Sequence, residues 1–308
     1  MNFSFKIVDL SNIEDFEYLF YTVFNKNKDI ETINIRKKLF PNGAQDFNVG
    51  LLAYDENNKL AGGVGLYASY LFLGEKNKAI VSQIGDAMVL ESYRKKGLFK
   101  SLVKALINEA KNRNHKFIFT FPSIENLGSY NTFKKNGFIE IASLYKYHKK
   151  VKPLLFSRLL KKINSRLFEK YSKRKKLMPF AKLAEQRSSI KRNGIFFNSK
   201  SYSINHMVHL NTVKAWVSLK RFSVLIGDFS VLEKNNIDSM INDLSNYTKS
   251  IGKEEIIFCT NIDLEKEFLD QYKWDHVDSS LRVMVCPVNM DEISINSLKF
   301  NYTDIDTF

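Results

Sequence analysis

The sequence predicts a mixed α/β (α+β) fold, a central sheet flanked by helices, carried in two tandem copies of which the second is degenerate. Three observations predict it. Residues 83–138 read as strand, turn, helix and strand, with the apolar period switching between 2 and 3.6. The last third of the chain repeats that order. A length of 308 residues is long for one domain and comfortable for two, and 44% hydrophobic residues with 25 Phe supply the cores.

The elements follow in order. Phe3 to Asp9 alternates apolar and polar residues and reads as a strand. Ser11 through Phe24 reads as a helix, with Ser11 as N-cap and Glu14 as its capping-box partner. Ile30 to Leu39 reads as a second short helix, stopped by Pro41. Asn48–Asp55 and Leu60–Phe72 are strands joined by the turn Glu56-Asn57-Asn58-Lys59. In the second of these, Gly62, Gly63 and Gly65 mark a bulge or close packing rather than an anion loop. The strand from Gln83 to Leu90 leads into the turn Arg94-Lys95-Lys96-Gly97-Leu98-Phe99. A helix from Leu98 to Arg113 places Leu98, Leu102, Ala105, Leu106 and Ala110 on one face. The strand Phe117–Phe121 comes next, and the stretch closes on Asn126, Phe133 and Asn136-Gly137-Phe138.

From Pro153 apolar residues recur at helical spacing (Leu154, Leu155, Leu159, Leu160, Ile163, Leu167) with Arg and Lys on the other face. Between Lys149 and Arg192 the chain has sixteen Lys or Arg against Glu169 and Glu185, so this segment alone carries the whole net charge of +14. It reads as a linking helix packed on a neighbouring domain. The sharper alternative is peripheral contact of residues 153–176 with an anionic membrane surface; nucleic acid is not the expected partner. In the last third, Ile226-Gly227-Asp228 followed by Val231-Leu232 echoes Ile84-Gly85-Asp86 followed by Val89-Leu90. A helix from about Asn235 to Ser250, a strand at Glu255–Thr260, a helix at Asp263–Tyr272 and a strand near Leu281–Val288 complete the echo. No Arg-x-x-Gly follows Leu232. The expected division is 1–150, a linker at 151–192, and 193–308.

The chemistry concentrates at the turn after the central strand. Gly97 permits a tight turn, the helix that follows offers N–H groups without intrahelical acceptors, and Arg94, Lys95 and Lys96 add positive charge. That is a cradle for a pyrophosphate, without the glycine spacing of a Walker or a dinucleotide loop.

These residues resemble the GCN5-related N-acetyltransferase superfamily, in the two-domain branch whose second copy is degenerate. Arg94, Gly97, Asn126, Ser129, Gly137 and Phe138 fall on its motif Arg/Gln-x-x-Gly-x-Gly/Ala … Asn-x-x-small-x-x-x-Tyr-x-x-x-Gly-Phe. Phe99 replaces the loop's last small residue, and Phe133 stands where many members have tyrosine. The resemblance covers the first 150 residues or so. It implies a splayed sheet and acetyl-CoA as acyl donor. Met88, Val89 and Leu90 would hold the pantetheine arm, with Arg94, Lys95, Lys96, Gly97, Leu98 and Phe99 at the pyrophosphate. Asn126, Ser129 and Phe133 would complete the donor site. Residues 193–308 would be the degenerate copy, binding or walling off the acceptor.

Acetyl transfer to an amine needs a base and a proton donor. Asp86 is the nearest carboxylate on the central strand. Tyr130, one helical turn before Phe133, is the nearest tyrosine to replace the missing donor. The expected function is therefore an acetyl-CoA-dependent N-acetyltransferase acting on a small primary amine, with an amino sugar as first candidate. Two alternatives stand beside it: a non-catalytic acyl-CoA-binding or scaffold protein docking through its basic segment, and a protein or peptide N-acetyltransferase. No metal is expected, since Cys259, Cys286 and five scattered His show no ligand spacing. The two cysteines read as buried thiols in a reducing cytoplasm. The first residues lack a signal-peptide pattern, no apolar run reaches membrane-spanning length, and the Asn, Lys, Ile and Phe usage suggests a bacterium of low genomic GC.

Overall fold

The computed structural model describes residues 2–25, 35–40, 48–72, 78–152, 189, 190, 196, 205–231, 237–289 and 295–305. Nearly all of the basic linker, including 153–176, lies outside the described residues. So do residues 306–308 and the start of the helix expected from Ile30, of which residues 35–39 are helical. In chain order the elements begin with β1 (Ser4–Ile7), α1 (Ile13–Phe24), β2 (Val49–Tyr54), β3 (Leu60–Phe72) and β4 (Lys78–Val89). There follow α2 (Leu98–Asn112), β5 (Phe117–Thr120), α3 (Leu127–Lys135) and β6 (Ile139–Lys150). The rest are β7 (Asn205–His209), β8 (Val213–Leu219), β9 (Ser223–Val231), α4 (Ile237–Ser250), β10 (Glu255–Thr260), α5 (Asp263–Gln271) and β11 (Asp275–Pro287). No described helix is long and apolar enough to cross a membrane.

The chain divides into two compact units that are not consecutive in sequence: Met1–Ala142 with Ser280–Ser297, and Ser143–Ser279 with Leu298–Phe308. In the first, strands β1, β2, β3, β4, β5 and the end of β11 are neighbours in that order. All pairs are antiparallel except β4 with β5. Both faces of the sheet are covered, which is why every residue of β2 is buried. Val49, Leu51, Ala53 and Ile84 pack on Leu98, Leu102, Val103 and Leu106 of α2. Leu52, Tyr54 and Met88 pack with Ile13, Phe16 and Leu19 of α1 and with Ile35 and Leu39.

β6 continues from the first unit into the second, where it pairs antiparallel with β10. β10 in turn pairs in parallel with β9, and β8 and β7 follow antiparallel. Three local features of the first unit recur here. The β3–β4 register slips by one residue, Gly63 facing Met88 while Gly65 faces Gly85; the β8–β9 register slips likewise, Trp216 facing Asp228 while Val217 faces Ile226. The two slips fall on the echoed Ile-Gly-Asp triplets. α3 ends with Gly137 at φ 87°, its N–H bonded to Lys134 and that of Phe138 to Phe133. α5 ends on the same two-bond closure, with Lys273 at φ 52° and Trp274 bonded to Leu269. α2 and α4 end alike too, on Asn114 and Gly252 at positive φ.

Two local expectations need correction. Ser11 is not the N-cap of α1: the helix starts at Ile13, and the Ser11 hydroxyl and N–H both donate to Asp9 instead. The central strand starts at Lys78 rather than Gln83, because β3 and β4 stay paired to Phe72 and Lys78.

Candidate active site

β4 and β5 part company soon after they meet. Their parallel ladder comprises Ser82 with Ile118 and Gln83 with Phe119. Beyond it Thr120 Oγ1 donates to Ile84 O at 3.3 Å, and β5 ends while β4 runs on to Val89. The extra residue at Asp86, with φ 47°, turns β4 at the point of divergence. Past the bulge, Leu90 N–H is bonded to Ala61 O on β3. By strand alternation the amide and carbonyl of Val89 therefore face away from β3, toward the opening beside β5.

The opening leads into the turn. Glu91–Tyr93 form one turn of 3-10 helix, and the Tyr93 hydroxyl donates to Asp55 Oδ2 at 2.8 Å. Asp55 also accepts from the N–H groups of Lys59 and Asn57, which holds its carboxyl below its ordinary range and keeps it an anionic anchor. Lys95 and Gly97 then adopt positive φ, 61° and 79°. The first intrahelical bond of α2 runs from Ser101 N to Gly97 O, so the N–H groups of Leu98, Phe99 and Lys100 have no acceptor within the helix. A Cβ built on Gly97 would meet nothing within 4 Å, so the turn at the start of α2 borders open space. Arg94, Lys95 and Lys96 are all exposed, and Arg94 Nε reaches Val89 O at 3.3 Å. Backbone donors at the positive end of a helix thus stand in a turn that also carries three exposed cations, which suits a diphosphate.

The remaining expected donor-site residues divide into two groups. Leu98 and Phe133 turn their side chains into the core, at 1% and 4% exposure, because the apolar face of α2 and the closure of α3 bury them. Phe99 stacks edge-on against Phe133 at 5.5 Å, and Phe133 against Phe138 at 5.1 Å. This contact joins the turn to α3 and explains why phenylalanine is tolerated at both positions. Asn126 caps α3: its Oδ1 accepts from Ser129 N at 3.3 Å, so Asn126 and Ser129 are bonded to each other at an exposed helix start.

Asp86 and Tyr130 both have partners that sequence reading missed. Asp86 is 9% exposed, and its Oδ2 accepts from Lys38 Nζ at 2.6 Å and from the Tyr67 hydroxyl. The Lys38 ammonium also lies 4.3 Å from the centre of the Tyr67 ring. Gly65 makes this possible, since a Cβ there would fall on the Tyr67 hydroxyl; the Gly62–Gly65 run carries both close packing and the register slip opposite the bulge. Tyr130 donates its hydroxyl to Glu140 Oε2, and Arg282 Nε approaches the other oxygen of Glu140 at 3.5 Å. The bond to Glu140 pushes the Tyr130 phenol above its ordinary pKa, so it stays protonated at neutral pH. Lys38 lies 48 residues from Asp86, and Arg282 142 from Glu140; no periodicity or motif links such pairs.

Both cysteines are buried free thiols, and burial pushes Cys259 up to about 12 and Cys286 to about 11, which leaves them unsuited to nucleophilic work.

The comparisons with known proteins agree with this geometry. Residues 12–138 match the sequence model of the Acetyltransferase (GNAT) family. No curated protein sequence matches the chain. Among solved structures, a probable N-acyltransferase from Enterococcus faecalis is similar over 94% of this chain and 74% of its own, at 11% identity and a TM-score of 0.61. A GCN5-related N-acetyltransferase from Anabaena variabilis covers 94% and 73% at 12% identity (TM-score 0.59), and one from Kribbella flavida 93% and 72% at 10% (TM-score 0.57). At such identities these structures speak for the fold alone, and they extend it over both halves of the chain. The match to the Acetyltransferase (GNAT) family thus covers the stretch of chain that carries the β4–β5 opening and the cationic turn.

Proposed function

We propose that the chain is an acetyl-CoA-dependent N-acetyltransferase for the primary amine of a small acceptor, with amino sugars the first class to screen. The observation that carries this reading is the continuity of the β4–β5 opening with the cationic turn. An extended arm needs backbone partners along a strand, and its diphosphate needs donors at the strand's end; Val89 and residues 94–100 supply them in that order. The residues fit the donor. Acetyl-CoA would supply an activated thioester, and the chain's own groups hold, orient and exclude water.

Asp86 is our base and Tyr130 our proton donor. The ion pair with Lys38 keeps the Asp86 carboxylate anionic, able to accept a proton directly or through water. Glu140 holds Tyr130 in the protonated form that a donor needs.

The test is calorimetric titration of acetyl-CoA into the wild-type chain and into Arg94→Ala/Gly97→Asp. We expect binding in the first and none in the second, because the new carboxylate sits among the amides meant for phosphate. Thiol release from acetyl-CoA across a panel of amines then identifies the acceptor class. A wild-type chain that does not bind acetyl-CoA refutes the proposal.

A further inference from the structure

The second unit has its own diverging strand pair. β9 and β10 are paired in parallel from Ser223 with Glu255 to Ile226 with Phe258. The ladder ends at the one-residue slip by Gly227, just as β4 leaves β5 near its own bulge. β6 covers the other edge of β10 as far as Thr260, opposite Tyr145. A segment paired with the end of β10 on its free side must therefore lie in the opening toward β9.

Such a segment is present. Asn301 forms an antiparallel bridge with Thr260. Asn261 N donates to Phe300 O at 3.0 Å, and Phe300 N donates to Asn261 Oδ1 at 2.6 Å. Asn261 Nδ2 reaches Leu298 O at 3.3 Å, so one asparagine holds the backbone of both Leu298 and Phe300. Beyond it a 3-10 turn, Tyr302–Asp304, packs against β9 and β10 and is closed by Asn301 N donating to Asp304 Oδ2 at 2.8 Å. Phe300, Asn301 and Asp304 are 0%, 2% and 2% exposed, and burial pushes Tyr302 up to about 12.

We propose that Leu298–Ile305 is the resident occupant of the β9–β10 opening, taking in the second unit the place of the donor's extended arm in the first. The comparison with the donor rests on the function proposed above; the occupancy itself does not. The second unit accordingly has no acyl-CoA site, and the chain binds one equivalent of donor. The slot is a receptor for an extended peptide, filled by the chain itself.

Cys259 on β10 reports on the slot, since it is 3% exposed and lies near Tyr302. In a Cys286→Ser chain it is the single thiol. We would compare its labelling by an aromatic disulfide in that chain and in one ended after Ser297. Removing the segment should speed labelling on the order of 100-fold. A synthetic peptide with the sequence of Leu298–Phe308 should restore protection, and a scrambled one should not. Equal labelling in a truncated chain of native circular dichroism overturns the proposal. If truncation prevents folding, Phe300→Ala in the full chain gives the same reading, with faster labelling expected and an unchanged rate overturning it. Titration of acetyl-CoA into the full chain should give one equivalent, and a second equivalent would also overturn it. Failure to bind any acetyl-CoA would refute the proposed function while leaving the thiol result to stand by itself.

Discussion

Replacing Lys38 by Met leaves the Asp86 carboxylate without its ammonium, where the two side chains are 9% and 5% exposed. At 2.6 Å and an effective dielectric constant of about 20, their attraction is roughly 6 kcal/mol. Much of that offsets the cost of taking both charges out of water. Losing one partner exposes the full cost of the other, about 3–5 kcal/mol for buried pairs. The Tyr67 hydroxyl still donates to Asp86, so we expect about 3 kcal/mol for Lys38→Met, at the low end of that range. Lys38→Met/Asp86→Asn should recover most of it, because no charge then remains buried. Urea unfolding of the four chains gives the coupling as a double-mutant cycle. The same variant tests the chemistry. Without the ammonium the Asp86 carboxyl takes a proton more readily, so the acid limb of the rate–pH profile should move to higher pH. A Lys38→Met cost below about 1 kcal/mol would refute the buried-pair argument. An unmoved acid limb would remove Asp86 as the base.

Gly97 separates strain from charge. Gly97→Ala meets no neighbour but forces an L residue to φ 79°, so it should cost about 1–2 kcal/mol and leave acetyl-CoA binding detectable, whereas Gly97→Asp should abolish binding. His115 makes the first unit acid-sensitive. Burial, with a smaller push from Arg113, holds its imidazole at about 4 instead of 6.5, with Nδ1 bonded to the Ser82 hydroxyl. The unfolded chain therefore binds the extra proton between those values, so stability is complete above pH 6.5 and falls as pH drops toward 4. The loss should total up to about 3 kcal/mol by thermal unfolding, and should shrink in His115→Gln. For the proton donor, Tyr130→Phe should lower kcat with little change in acetyl-CoA affinity. Glu140→Gln should move the alkaline limb to lower pH by releasing the phenol from the bond that raises its pKa.

Much of the chain was legible because local physics decides it. The largely apolar run after the turn Glu56–Lys59 gave β3 from Leu60 to Phe72, and the helical spacing of Leu98, Leu102, Leu106 and Ala110 gave the buried face of α2. The turn at Arg94–Gly97 was readable because glycine at positive φ and a helix start are properties of a few consecutive residues. β6, β7 and β8 went unread. β6 mixes apolar and polar residues without clean alternation, since it takes its burial from β10, more than a hundred residues away.

The sequence by itself determined the fold class, the internal echo, the cationic turn and the candidate base, each written within one element or two adjacent ones. Long-range packing was needed to decide which strand completes which unit, that Lys38 pairs with Asp86 while Tyr67 hydrogen-bonds it, that Glu140 holds Tyr130, and that Leu298–Ile305 fills the β9–β10 opening. The reason is physical. Periodicity and turn chemistry act through neighbours in the chain, whereas strand partners, buried ion pairs and a self-filled slot depend on chain closure over tens to hundreds of residues, which leaves no local pattern.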